Sequence, residues 1–481
     1  MRHACAALLG LTGAACAQSV TFEPSHVLVV PGAEVVTFEA SRARFWCTCA
    51  DGLAGVSFGD GKPTLMRPAL MEAEFTHVTT DRSGRGLLFC TVRDDDPWRT
   101  GRLLELDPSD GQWIQIHPAG FGPDCVLLTE DGAELLIVEE GEAGPRGDDP
   151  PGGLTVRRVH YTGAGAYQSV GFTAYLREHG SSALRIHPDR AHAPQLDIEP
   201  EYVTFVNGTA YVTLQENNAI GVFDIEARSW TDVIPIPVIT QTIDASDKDG
   251  GVRIEDEVAC MPMPDQIVHA DGALFFPGEG DTRAELGEGA VGVVEGQPNL
   301  VDHARLGDLV ELGKATPHPG LERLKVCTFT GDTDGDGVID VPHAFGSRAL
   351  HKYDLATKAW SHTGSHIERT IAGRFPEYFD DTRSDDRGPE PEGITVGEVG
   401  GRTVLFVSIE RPGAVMAFDT DLNFLGMVMS AADGHTGPEG MCFVPKAQSP
   451  LGIDTLAVAF EASGHLVFYE VTLDDAQPSA E

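Results

Sequence analysis

Apolar residues along this 481-residue chain gather in runs of four to seven, rich in Val, Phe and Thr. Gly (55) and Pro (31) are spread between the runs without a fixed period, so turns are frequent. Short, β-rich runs bounded by turn residues read as strands. The pattern predicts an all-β chain, and 41% hydrophobic residues are too many for a disordered acidic one.

The runs recur as a unit. Gly122-Pro123-Asp124 precedes a run from Leu135 that ends at Glu139. Glu199-Pro200-Glu201 leads to a run from Tyr211 closed by Glu216, and Met263-Pro264-Asp265 to one from Leu274 closed by Glu279. Glu390-Pro391-Glu392 leads to Leu405 onward and Glu410, and Gly437-Pro438-Glu439 to Leu456 onward and Glu461. Each copy therefore has a Pro-acid step, a short strand, a turn, a second strand and a closing Glu. A copy without the Pro starts at Glu34, and a degenerate unit runs from Phe75 to Asp107. Seven such units stacked around an axis predict a seven-bladed β-propeller over residues 18–475. A pair of β-sandwiches or a β-solenoid fits units of roughly 40 to 70 residues less well. Val20 to Phe22, or Val27 to Val30, is expected to close the ring against the C-terminal strands, removing exposed edges. Residues 284–345 read as a blade insertion, helical around Leu306 to Leu312.

Geometry then brings in chemistry. Two successive antiparallel strands return the chain to the end it started from. First acids Asp124, Glu201, Asp265, Glu392 and Glu439, with Glu34, should thus share one channel mouth with second acids Glu139, Glu216, Glu279, Glu410 and Glu461. Crowded carboxylates repel unless cations or arginines lie among them. Arg283, Arg387 and Arg411 are the candidates, either pairing with those acids or binding an anion. The plainer alternative is that Pro-acid only makes turns and bonds one blade to the next.

Between the Pro-acid steps Pro264-Asp265 and Pro391-Glu392 lies Asp332-Thr333-Asp334-Gly335-Asp336-Gly337-Val338-Ile339-Asp340. This spacing predicts Ca²⁺ held by Asp332, Asp334, Asp336 and Asp340 with the Val338 carbonyl, because dense hard oxygen donors suit calcium better than a transition metal. His343 stands where an EF-hand has its glutamate, so the loop is an incomplete EF-hand. A solvated acidic turn is the alternative.

Charge narrows the partners. Asp and Glu number 74 against 34 Lys and Arg, a formal net charge of -40, which argues against nucleic acid or an anionic membrane. Divalent cations fit, and phosphate esters or mineral surfaces fit only through them. The start, Met1-Arg2-His3, a small-apolar run to Ala15 and Ala15-Cys16-Ala17, reads as a secretory signal peptide over 1–17, with a lipidated Cys16 disfavoured by Gly13. No other stretch approaches the ~20 apolar residues of a membrane span. The expected product is secreted or surface-held and monomeric, with an acidic tail over 476–481. Seven cysteines remain after the signal, Cys47, Cys49, Cys90, Cys125, Cys260, Cys327 and Cys442, and most fall in apolar runs as buried thiols.

Leu196-Asp197-Ile198-Glu199-Pro200-Glu201-Tyr202, Leu214 to Ala219, Gly331 to Gly337 and Gly388-Pro389-Glu390-Pro391-Glu392-Gly393 together resemble the choice-of-anchor I family. The likeness runs from about Gly32 to Val471 and includes Arg374-Phe375-Pro376 and Glu410-Arg411-Pro412-Gly413. The resemblance implies a secreted or surface-attached β-propeller, linked in some members to biomineralisation and in others to alkaline-phosphatase-like phosphate release. The chain departs from the family in one respect: members often carry an anchoring or sorting segment after the propeller, where an acidic tail is expected here. No catalytic residue carries over. Two functions follow: a calcium-binding surface protein, or a calcium-dependent phosphomonoesterase in which Arg283, Arg387 and Arg411 take phosphate oxygens. No H-E-x-x-H or P-loop motif points elsewhere.

Overall fold

Seven four-stranded antiparallel sheets account for most of the chain in the computed structural model, which describes residues 18–68, 73–81, 86–129, 131–142, 150–159, 167–283 and 300–475. The signal-peptide reading over 1–17 and the acidic tail over 476–481 lie outside the described residues.

The first strands of the sheets are Val36–Glu39, Glu74–Thr80, Pro123–Leu128, Pro200–Val206, Val268–Ala270, Pro391–Val399 and Pro438–Val444. Each lies against the next, and Pro438–Val444 returns to touch Val36–Glu39, so the sheets form a closed ring: a β-propeller. Second strands such as Arg44–Cys49, Glu134–Glu139 and Thr455–Phe460 are buried almost throughout, because a blade is covered on both faces by its neighbours. Outer strands such as Lys62–Met66 and Trp113–Phe121 are mostly exposed.

Cohesion is local to each seam. Separate apolar clusters fill every junction around the ring, for instance Phe89, Leu103, Val126 and Ile137 at one, and Phe406, Val415, Leu456 and Val467 at another. The ring closes through Gln18–Val29, which pairs antiparallel with His465–Asp475 and sets Val20 opposite Leu473. Both expected closing segments thus belong to one long strand, interrupted only by a register shift between Pro24 and His26. All seven cysteines are buried and free.

Of the insertion expected over 284–345, residues 284–299 lie outside the described residues, and the rest shares a sheet with strands that precede it. A five-stranded mixed sheet draws Ile239–Ile243 and Asp256–Met261 from before the fifth first strand, and His303–Arg305, Lys325–Cys327 and His343–Phe345 from within that blade. The parallel pairing of Asp256–Met261 with His343–Phe345 joins the two excursions. The sheet has its own core, including Val258, Leu306, Leu309 and Val326. Helix Leu306–Glu311 stands where a helix was expected.

Candidate functional site

Four Pro-acid steps carry the same local device. The register between first and second strands shifts between Pro123 and Val126, Pro200 and Val203, Pro391 and Ile394, and Pro438 and Met441. Such a bulge re-aims the side chain within it, and here that residue is the acid. Its backbone does separate work. The Asp124, Asp265 and Glu439 carbonyls accept from the hydroxyls of Thr91 (3.4 Å), Thr213 (2.5 Å) and Ser408 (3.2 Å) on the preceding blade. Blade-to-blade bonding therefore runs through the main chain, which leaves the carboxylates for the channel. Gly393 and Gly440 permit this approach, since a Cβ would come within 2.1 Å of the Glu439 carbonyl at one and 2.3 Å of the Glu34 carbonyl at the other.

Glu34, Asp124, Asp265, Glu392 and Glu439 line one cavity of about 70 Å³, with His77 and Tyr202, whose side chains hydrogen-bond at 2.9 Å. Glu201 and Glu216 line another cavity of about 120 Å³ with Glu140, Glu199, Asp281 and Arg283. Burial pushes most of the first and second acids here upward, and neighbouring acids push further. Glu34 reaches about 8, with Asp124, Glu461 and Glu74 adding to burial. Glu439 reaches about 10 with Glu461 and Glu34. Glu216 and Glu410 each reach about 7, held back by Arg283 and Arg411 respectively. Glu201, Asp265, Glu279 and Glu392 are all raised well above the usual range by burial and mutual repulsion. Two carboxylate triads, Asp265 with Glu279 and Glu392, and Glu392 with Glu410 and Glu439, have ligand oxygens within 4.8 Å of one another.

Glu139 does not join them. It is buried inside its own blade, accepting from the hydroxyls of Thr155 and of Ser169 (2.7 Å). Glu140 takes the channel position. Its N–H donates to the Gly122 carbonyl (2.9 Å), as that of Glu410 does to Glu390 (3.0 Å) and that of Glu461 to Gly437 (2.8 Å), each the residue before the Pro. Sequence spacing missed this because the intervening turns differ in length.

The three arginines are paired with acids. Arg283 meets Asp197 (3.1 Å) and Glu199 (3.0 Å). Arg387 meets Glu279 (3.2 Å), Asp281 (3.1 Å) and Glu390 (3.1 Å), and Arg411 meets Glu390 (3.0 Å) and Glu410 (3.1 Å). Arg93, which the repeat did not mark, binds Asp124 (3.1 Å), Glu142 (3.0 Å) and Glu140.

The aspartate loop lies apart, on the five-stranded sheet between Lys325–Cys327 and His343–Phe345. Carboxylate oxygens of Asp332, Asp334 and Asp340 come within 4.8 Å of one another, while Asp336 is not in the group. Asp336 instead accepts from the Val338 N–H at 2.8 Å. Asp332 accepts from the N–H groups of Gly335 (2.7 Å) and Gly337 (2.9 Å), and Asp340 from the Thr333 N–H (3.0 Å) and hydroxyl (2.5 Å). His343, at the twelfth position, pairs its Nδ1 with the Thr330 hydroxyl at 3.1 Å.

Residues 34–423 match the choice-of-anchor I domain. A mesenchyme-specific cell surface glycoprotein of Strongylocentrotus purpuratus is 28% identical over 277 residues, 47% of this chain and 35% of that protein. Gigasin-3a of Magallana gigas is 27% identical over 194 residues, 33% of this chain and 68% of that one. The chain thus spans about a third of the first relative's length. A streptogramin B lyase structure superposes with a TM-score of 0.51 at 10% identity, covering 95% of this chain and 98% of that one, a likeness of fold alone. Among the described residues no helix is long and apolar enough to cross a membrane.

Proposed function

The chain belongs to the choice-of-anchor I domain family, and on that premise we propose that it works as an extracellular, surface-associated, calcium-binding propeller of seven blades. The cell-surface glycoprotein among its relatives supports the location. The observation that carries the calcium reading is the exposed aspartate loop. Three of its carboxylates, from Asp332, Asp334 and Asp340, lie within 4.8 Å of one another. Loop amides hold Asp332 below its usual range, and the Thr333 hydroxyl and amide do the same for Asp340, so both stay ionised. Hard oxygen donors open to water suit Ca²⁺, which completes its shell with solvent. A net charge of -40 makes cations, or mineral surfaces presented through cations, the natural partners.

The phosphomonoesterase reading finds less support. It needs guanidinium groups free to take phosphate oxygens, and Arg283, Arg387 and Arg411 each already face two or more carboxylates. Hydrolysis of a generic phosphomonoester, with Ca²⁺ and then with chelator, separates the two; chelator-sensitive turnover would favour the enzyme.

Calcium binding is tested by thermal unfolding of wild type and Asp334→Ala across a Ca²⁺ titration. Binding to the folded state stabilises it by about 2.7 kcal/mol at a hundredfold excess over Kd. Wild type should gain on this order, and Asp334→Ala should lose the loop's share. Identical melting of both proteins with and without calcium would sink the assignment.

A further inference from the structure

We propose that the channel holds a bridged pair of divalent cations, one among Asp265, Glu279 and Glu392 and the other among Glu392, Glu410 and Glu439. The inference rests on the reading of this protein as a cation binder but uses no residue of the aspartate loop.

Geometry comes first. Calcium–oxygen bonds are about 2.3–2.6 Å, so oxygens across one ion stand roughly 4.6–5.2 Å apart. In each triad the oxygens lie within 4.8 Å of one another, close enough to share one ion, and the triads share Glu392. One carboxylate with two oxygens common to two triads is the arrangement that bridges a metal pair.

An independent sign comes from Glu392 itself. Its Oε2 is shut off from solvent and has no hydrogen-bond partner. A buried carboxylate oxygen left unbonded is strongly disfavoured, and such an atom in a native fold calls for a ligand. The acids around it are held from behind. Glu279, only 8% exposed, receives Gln215 Nε2 on one oxygen (3.0 Å) and Arg387 on the other (3.2 Å), and Arg411 reaches Glu410 at 3.1 Å. Outer partners of this kind orient metal-binding carboxylates. Those arginines do not neutralise the cluster, because Glu390 shares both of them, at 3.1 and 3.0 Å. Two divalent cations would supply the missing positive charge. An all-carboxylate donor set selects hard ions such as Ca²⁺, Mg²⁺ or Mn²⁺.

The ligands come from three successive blades, so the pair would staple the ring beside its closing seam. Asp265 and Glu279 flank the inner strand pair of one blade, Glu392 and Glu410 that of the next, and Glu439 begins the blade that Gln18–Val29 completes. Asp265, Glu392 and Glu439 also line the 70 Å³ cavity, which leaves room for water on the cations.

The experiment loads the chelated full chain with Mn²⁺ and reads bound ions by equilibrium dialysis and spin coupling by electron paramagnetic resonance. Wild type should bind three ions and show a coupled pair. Asp334→Ala should lose one ion and keep the coupling. Glu392→Gln, nearly isosteric, should lose two ions and the coupling. Glu410→Gln and Glu439→Gln should each lose one ion and the coupling, which guards against misfolding of a single variant. Only isolated ions in wild type, or unchanged binding in Glu392→Gln, would overturn the pair. One wild-type ion that disappears in Asp334→Ala would leave the loop reading standing and remove the pair, whereas no bound ion in any protein would remove both.

Discussion

The channel mouth and the aspartate loop both crowd carboxylates, and they satisfy them in opposite ways. In the loop, backbone amides do the work: Gly335 and Gly337 donate to Asp332, and Thr333 to Asp340. These groups face water and are held below the usual carboxylate range. In the channel, partners are side chains, water is displaced, and burial with mutual repulsion lifts Glu34 to about 8 and Glu439 to about 10. The same functional group is therefore an anion at neutral pH in the loop and keeps its proton at Glu34 and Glu439 in the channel. A backbone turn can preorganise negative charge by itself; a ring of blades can do so only with counter-charge brought in.

That contrast is most sharply broken at Glu390. It is fully buried, yet Arg387, Arg411 and Arg383 outweigh the effect of burial and hold its carboxyl below the usual range. Arg383 lies at 2.6 Å, Arg411 at 3.0 Å and Arg387 at 3.1 Å. Removing one partner from a buried charge network strands the others, at about 3–5 kcal/mol. Glu390→Ala should therefore lower unfolding stability by that order in denaturant titrations. Asp340→Ala in the loop, measured in chelator, should change it far less. Equal effects would mean that the channel network is no more committed than an exposed turn.

The next effect concerns pH. Burial raises Glu139 from 4.5 to about 7, although Thr155 and Ser169 donate to it. The folded state thus holds its proton more tightly than the unfolded state. Stability from this group is complete below the unfolded pKa and is lost as pH rises through about 7. The shift corresponds to about 3 kcal/mol at most. Glu139→Gln keeps the shape and removes the titration, so the stability difference between variant and wild type should grow in the variant's favour from pH 4.5 to 8. Other raised carboxyls affect both proteins alike, which makes the difference the quantity to read. A constant difference across that range would show that Glu139 titrates as an exposed acid.

Much of the ring was legible because each blade restates its own signals. The Pro-acid step marks the bulge, and the apolar run after it marks a strand covered by two neighbours, as at Glu390-Pro391-Glu392 and Leu405–Ile409. Closure was legible for the same reason: Val20 and Leu473, at opposite ends of the chain, lie in complementary strands. The five-stranded sheet was hidden because its strands His303–Arg305, Lys325–Cys327 and His343–Phe345 are three residues long, too short for any period to show. Its parallel pairing joins Ala259 to His343, a contact that no local pattern announces. At the site, Glu139 and Glu140 differ by one residue, and one residue decides which face of a strand a side chain takes. Arg93 escaped notice because it lies on the degenerate unit, which has no Pro-acid step, and finds Asp124 and Glu140 on the following blade.

The smallest effect separates the main-chain and side-chain roles of the acids. Thr213, fully buried, donates its hydroxyl to the Asp265 carbonyl at 2.5 Å and accepts from the Tyr202 N–H at 2.9 Å. Thr213→Val preserves shape and removes both bonds, leaving a partly buried carbonyl and a partly buried N–H short of a partner. A loss of about 1–2 kcal/mol is expected for such groups. No carboxyl group is altered, so the channel keeps its full set of acids. What changes is how firmly the Asp265 main chain is tied to the preceding blade, and hence how well its carboxylate is positioned beside Glu279 and Glu392. Ion binding in the channel should weaken along with stability, while binding at the aspartate loop, which this bond does not touch, should stay at the wild-type value. If stability falls and channel binding does not, the blade-to-blade bond holds the ring together without aiming the acid. Weakening at the loop as well would mean that the two regions are coupled through the fold, contrary to their separate cores.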